Sequence, residues 1–330
     1  MAEKIIPPDI SDGIPSFLAE INARMQEAIA IRETEREAGK LKNLDSATST
    51  PPKETIEEKD WGFMARSLIQ ATMPHSKPKD SIYIRENGRF MLTMAAVDPR
   101  IGLPYGPIPR LLMSFITTEA ARTQSREIFL ASSLSEFMRD LGFDMPRGGK
   151  RGNINPLKDQ MLKLFSAVVK ISHTEENRAT AAQMLLVEKY DIQWWKPIDP
   201  DQLSLFESKI TLSEPFYREI ITSAVPVNMK TLRALKSSAL MLDIYTWLTY
   251  KNSYDRQIRR ISWEALQMQF GAGYPMTKRG MINFRVNFEK AFKKVALAYP
   301  DAGKCRIELD HFLYVPGKPD ISPEKTLKRR

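Results

Sequence analysis

Arg279 and Asn283 stand one helical turn apart, and Lys290 and Lys293 continue the same spacing. These residue types carry a specific chemistry. An arginine bridges the O6 and N7 of guanine with two parallel donors, and an asparagine bridges the N6 and N7 of adenine. Lysines, as mobile point charges, suit phosphate oxygens. Lys278, Arg285 and Lys294 complete the cationic set on this stretch. A second cationic set is spaced by glycines, Arg147, Lys150 and Arg151, followed by Lys163 and Arg178. Cations ahead of a helix suit a phosphate at that helix's N-terminus. The plainer alternatives are a core helix with a solvated basic back and a solvated basic loop.

Other constellations do not reach a site. His75, His173 and His311 are far apart and lack partners at ligand spacing, so they read as loop or strand histidines, not metal ligands. Cys305, the only cysteine, alternates with Ile307 and reads as a core thiol in a chain without an internal disulfide. There is no GxxxxGK[ST] run for ATP. Asp201, Glu207 and Lys209 formally resemble the acid-acid-lysine set of metal-dependent nucleases. Their very short spacing reads better as a polar loop entering a strand. The expectation is a chain that is not an enzyme, with no cofactor and no metal.

Charge distribution agrees with a polyanionic partner. The 330 residues carry a net charge of +9, with a pI near 9.4. Residues 229–304 hold 14 Lys/Arg against 5 Asp/Glu, and residues 145–170 hold 6 against 1. Residues 1–60 are instead acidic, with 8 against 13. Cations kept only for solubility would be scattered, whereas concentration in two segments favours nucleic acid. The first residues lack the apolar stretch of a secretory signal, and no run of about 18 apolar residues is present to span a membrane. The expected location is the cytoplasm.

The elements that must position these residues follow from periodicity and caps. Residues 1–60 read as an N-terminal arm: 1–14 without fixed structure, 15–40 helical, 43–60 a polar, proline-bearing linker. Residues 61–212 form a first domain. Strands at 81–85 and 90–94 flank a glycine turn, 104–109 is a rigid loop, and 110–121 is a helix. A strand at 127–130 precedes a helix capped at Ser132 or Ser133 and ended by Gly142. The basic loop 146–153 leads to a helix over 156–165, with Asp159, Gln160 and Lys163 facing away from the core. Strands at 168–173 and 184–190 make a wing whose tip carries Arg178.

Residues 213–330 form the second domain. A strand at 209–212 and a short helix after Ser213 lead to a long helix over 229–250. Ser262 caps a helix over 263–270, Gly271 to Pro275 is the turn, and Thr277 caps a helix running to Tyr299. Met281, Phe284, Phe288, Ala291, Phe292 and Val295 form its core stripe. A hairpin at 305–308 and 312–315 closes the unit, followed by the basic tail 326–330. Twice, then, a capped helix, a glycine-rich turn, a basic helix and two strands follow in order. The predicted fold is α+β and helix-rich, with two tandem winged-helix domains behind a flexible arm.

Three segments carry a family resemblance: Leu103-Pro104-Tyr105-Gly106-Pro107-Ile108-Pro109-Arg110-Leu111-Leu112 with Thr117-Thr118-Glu119-Ala120; Ser133-Leu134-Ser135-Glu136-Phe137-Met138-Arg139-Asp140-Leu141-Gly142; and Leu240-Met241-Leu242-Asp243-Ile244-Tyr245-Thr246-Trp247-Leu248-Thr249-Tyr250. With the helix containing Arg279 and Phe284 to Phe292, they resemble the plasmid replication initiators called RepA, over about residues 80–316. The resemblance implies a bacterial, plasmid-associated protein that binds repeated duplex sequences (iterons) at an origin. It also implies help in opening the DNA and recruitment of host replication proteins, namely a helicase and a DnaA-like initiator. Dimers acting as repressors of their own promoter are known in such families, so a winged-helix transcriptional repressor is the alternative. By position, the 277–299 helix would read the iteron, and the first basic unit would contact backbone or support dimerisation.

Overall fold

The computed structural model describes residues 60–143, 146–148, 152–175, 177–193, 208–271 and 273–321. The predicted arm, Lys150, Arg151, Asp201, Glu207 and the basic tail lie outside them. Apart from 308–310, the described residues fall in one compact unit. Its elements in chain order are β1 (Trp61–Met64), α1 (Arg66–Gln70), β2 (Ile82–Asn87), β3 (Phe90–Ala96), α2 (Pro107–Thr123), β4 (Glu127–Ala131), α3 (Leu134–Asp140) and α4 (Ile154–Phe165). Then come β5 (Ala167–Glu175), β6 (Arg178–Leu185), β7 (Val187–Asp191), β8 (Ser208–Leu212), α5 (Glu214–Ser223), β9 (Val225–Asn228) and α6 (Met229–Ala234). The last are α7 (Ala239–Tyr254), β10 (Arg259–Ser262), α8 (Trp263–Phe270), α9 (Lys278–Ala298), a 3-10 turn (Pro300–Lys304), β11 (Arg306–Ile307) and β12 (His311–Tyr314). The mixture is α+β, as expected.

The first half is built from local signals. Gly88, with φ 60°, closes the β2–β3 hairpin. Ser133 accepts from the Glu136 N–H at 3.2 Å while the Glu136 carboxylate accepts from the Ser132 N–H at 2.9 Å, a reciprocal cap on α3. Gly142, with φ 80°, stops α3: its own N–H goes to the Arg139 carbonyl and that of Phe143 to Met138, both at 2.8 Å. The β5–β6 hairpin extends the β2–β3 sheet, in the order β2-β3-β5-β6, while β4 pairs with β8 in a separate β4-β8-β7 sheet.

The second half has one small sheet, ordered β10-β12-β11 and antiparallel throughout. Ser262 accepts from the Ala265 N–H at 3.2 Å and Thr277 from the Gly280 N–H at 3.1 Å, so both predicted caps start α8 and α9. A Cβ at Gly280 would collide with the Pro275 carbonyl, so only glycine lets the turn fold back on the first turn of α9. The stripe Phe284, Phe288, Phe292 is buried, and its rings meet Trp263, Phe270 and Phe312 at centroid distances of 5.2–5.8 Å.

Four local expectations are corrected. α2 starts at Pro107, inside the predicted loop, because proline is tolerated in a helix's first turn where its missing N–H is not needed. The predicted strand over 184–190 divides at Leu186 into β6, which stays with the hairpin, and β7, which pairs with β8. The helix predicted over 229–250 is two helices. α6 ends at Ala234, and the Ser238 hydroxyl accepts from the Met241 N–H at 3.4 Å, starting α7 anew. On α4, Asp159 does face outward, but Gln160 and Lys163 are buried at 4% and 7% exposure.

The predicted boundary at 212/213 does not separate two cores. β1 pairs antiparallel with β9 across it, and one continuous set of buried apolar side chains runs from Met64 to Tyr314. No helix among the described residues is long and apolar enough to cross a membrane.

Candidate nucleic-acid interface

α9 is anchored by its phenylalanines, and its other face is open. Lys278, Arg279, Asn283, Lys290, Lys293 and Lys294 are all exposed. They differ in how they are held. Lys293 pairs with Glu289 at 2.9 Å. The Asn283 side chain stands on solvent, while its carbonyl accepts from Asn287 at 3.0 Å. Arg285 is half-buried, with its guanidinium over the Trp263 ring at 4.9 Å, so it works in the packing of α8 on α9. The outward face therefore offers one long bidentate donor, Arg279, one amide, Asn283, and the lysines beyond them.

The first half contributes fewer of the predicted residues. Arg147 is exposed where the basic loop enters α4, its N–H donating to Asn153 Oδ1 at 2.8 Å and its carbonyl accepting from the Asn153 N–H at 3.0 Å. Asn153 thus pins the loop and makes no side-chain cap on α4. Arg178 is exposed at the turn of the β5–β6 hairpin. Lys163 is placed differently from expectation. Its ammonium meets Asp159 at 2.6 Å, one turn earlier, and lies over the Tyr105 ring at 5.1 Å. Gln160 turns inward because its side-chain oxygen accepts the Tyr105 N–H at 2.8 Å.

Several residues were not legible beforehand. Arg110 is buried and donates from Nε and Nη2 to the two oxygens of Asp243 at 2.6 and 2.7 Å, and to the carbonyls of Met73, Pro74 and Gly106. His75 Nε2 lies 2.6 Å from Asp243 Oδ2. Burial pulls the His75 pKa below its usual value despite Asp243. Burial pushes the Asp243 carboxyl up, but the Arg110 charge and the hydrogen bonds from His75 and Arg110 outweigh it and hold the acid ionised. The chemistry is a buried charge pair with a neutral imidazole, which ties α2 to α7. Nearby, Arg85 reaches the Gln267 carbonyl, and Asn87 reaches Gln269 at 2.6 Å. These bonds fasten β2 to α8.

Arg260 and Arg306 were also overlooked. Both are exposed and both pair in register with Leu313, so they flank that residue from the two outer strands on one face of the β10-β12-β11 sheet. A cleft of about 710 Å³ runs along the flank of α9. Asn287, Lys290 and Lys294 of α9 line it, with Ser238 at the start of α7, Tyr274 of the turn, and His75 and Ser76 of the loop after α1 among the other lining residues. No Asp or Glu lines it.

The remaining candidates carry no such arrangement. Lys209 pairs with Glu127 at 3.7 Å on β8. His173 packs on Phe90 at 4.8 Å within β5, and His311 lies in β12. Cys305 is buried, which pushes its thiol up to about 11. Among the described residues no three His, Cys, Asp or Glu side chains are grouped to hold a metal.

Residues 103–265 match the family described as plasmid-encoded RepA protein. Over this span the chain belongs to the RepA family. The span takes in α2, the Arg110–Asp243 pair and the start of α8, and stops before α9. The RepA region therefore includes the first basic unit, while the assignment of α9 rests on its own geometry. None of the functionally curated proteins matches the chain. Two solved structures are similar in part, both at 9% identity. The crystal structure of RctB domains 2-3 has a TM-score of 0.42, covering 69% of this chain and 82% of that one. That of selenomethionine derivatives of RctB domains 2 and 3 has 0.44, covering 70% and 83%.

Proposed function

We propose that this RepA-family chain is a sequence-specific duplex-DNA binder that initiates plasmid replication at repeated origin sequences. The observation that carries the reading is α9. It is a 21-residue helix with a phenylalanine stripe in the core and Arg279 and Asn283 exposed on the other side. It follows a capped helix and a turn, and precedes a short antiparallel hairpin. We read this half as a winged helix: the helix–strand–helix–helix–strand–strand order and the β10-β12-β11 sheet support that reading. The first half has the same helix order, but its hairpin belongs to another sheet from β4. There Arg147 and Arg178 are assigned to the DNA backbone, not to bases.

On this reading the protein acts in the bacterial cytoplasm without cofactor, metal or ATP, and binding energy and bending help open the duplex. Its partners are origin iterons, a host helicase and a DnaA-like initiator, with a homodimer as the autoregulatory form. The test is plasmid maintenance. The coding sequence and its flanking DNA are placed on a replicon that cannot otherwise replicate, with Arg279→Glu as the comparison. Maintenance by wild type and loss in the variant would support an initiator working through α9. Failure of both in several hosts, with a retained footprint near its own promoter, would replace initiation by the repressor reading.

A further inference from the structure

The cleft beside α9 is made by both halves of the chain. Ser76 comes from the loop after α1 and lines the cleft with Gly273 of the turn; a Cβ added at Gly273 would stand 3.7 Å from the Ser76 Oγ. The facing wall is Lys290 and Lys294, one helical turn apart. Among the described residues neither ammonium has a carboxylate within 4 Å, in contrast to Lys293 on Glu289. Across from them α7 begins; its Met241 N–H is held by the Ser238 hydroxyl, and the amides of Ala239 and Leu240 have no intrahelical acceptor. The other polar side chains present are neutral, and among them Asn287 donates to the Tyr274 hydroxyl at 2.9 Å. The Asp243 carboxylate behind His75 is neutralised by Arg110. Two unneutralised cations in an acid-free cleft of ligand size favour an anion.

We propose that this cleft seats a phosphodiester of the DNA backbone, with Lys290 and Lys294 converging on one phosphate and Ser76 of the first half closing the site. The proposal rests on the DNA-binding reading above. It adds that one backbone contact belongs to both halves jointly, which holds their two DNA-contacting surfaces in a single register.

The test uses the full chain and a duplex that wild type selects from a random pool. Binding is followed by anisotropy across a salt series. Lys290→Gln and Lys294→Gln are each expected to leave the salt slope within a few tenths of wild type, because the remaining lysine still neutralises the shared phosphate, and the double variant is expected to lower it by about one. Ser76→Asp, which brings a carboxylate from the other half, is expected to weaken binding at least tenfold at low salt, with thermal melting unchanged. An additive loss of about two in the double variant would overturn the shared seat and leave the DNA reading standing. So would unchanged binding by Ser76→Asp. Amide shifts at Ser76 and Leu240 with inorganic phosphate alone, equal to those with duplex, would replace the backbone by a free anion. If wild type selects no duplex, the DNA reading itself fails.

Discussion

On the proposed reading Arg279 and Asn283 do a different kind of work from the lysines around them, and substitution separates the two. Arg279→Ala or Asn283→Ala should cost about 1–3 kcal/mol of discrimination at one base position, since each side chain can pair with one base edge. Normal discrimination by both in a binding-selection assay would remove α9 from the recognition role. Asp243 is a structural residue by contrast. Asp243→Ala strips the partner from a guanidinium that is 2% exposed, so it should destabilise the fold by about 3–5 kcal/mol in denaturant titration. His75 gives this site a pH dependence. Its folded pKa is lowered, so the unfolded chain takes up the proton first. Stability is therefore full above about pH 6.5 and falls as pH drops below it. Replacing it in His75→Gln should flatten unfolding midpoints between pH 7 and pH 5. A pH profile identical to wild type would mean that this imidazole is not the group responsible.

The elements were legible where a cap or a stripe marked them. Ser262 and Thr277 sit at the right offset from their apolar runs, and α8 and α9 begin there. Thr277→Ala should lower stability by about 1 kcal/mol and fray the first turn of α9, where Arg279 stands. Full protection of the Gly280 and Met281 amides from hydrogen exchange in that variant would contradict this. Phe288→Ala, which leaves a hole among Trp263, Phe270, Phe292 and Phe312, should cost about 3–5 kcal/mol. Periodicity failed at 235–238 because the stripes of α6 and α7 read as one; only the Ser238 hydroxyl, competing for a backbone N–H, marks the break. It failed on α4 because Lys163 is polar yet snorkels, burying its stem while its charge finds Asp159.

For the molecule as a whole, the division into two halves describes sequence order better than it describes cohesion. β1 with β9, Arg110 with Asp243, and Gln269 with the 69–72 segment all cross the expected boundary. The described chain should therefore unfold in one transition, with tryptophan fluorescence and far-ultraviolet circular dichroism coinciding. Two resolved transitions would show that these bonds do not couple the halves. On the proposed DNA-binding reading, such coupling would fix the spacing between the two places the protein grips.

Type, order and charge were in the sequence itself. Local chemistry starts and stops these helices, and the phenylalanine stripe decides which side of α9 faces out, because burial follows a period set by helix geometry. The RepA resemblance was likewise readable from contiguous runs. Which residues meet was decided only by the tertiary structure. Arg110 and Asp243 are 133 positions apart, and no spacing rule links residues at that separation. The cleft of Ser76, Lys290 and Lys294, the joining of β5–β6 to β2–β3, and the shared core all depend on which surfaces pack. Packing is selected by the burial of the whole chain at once, so no local window contains it.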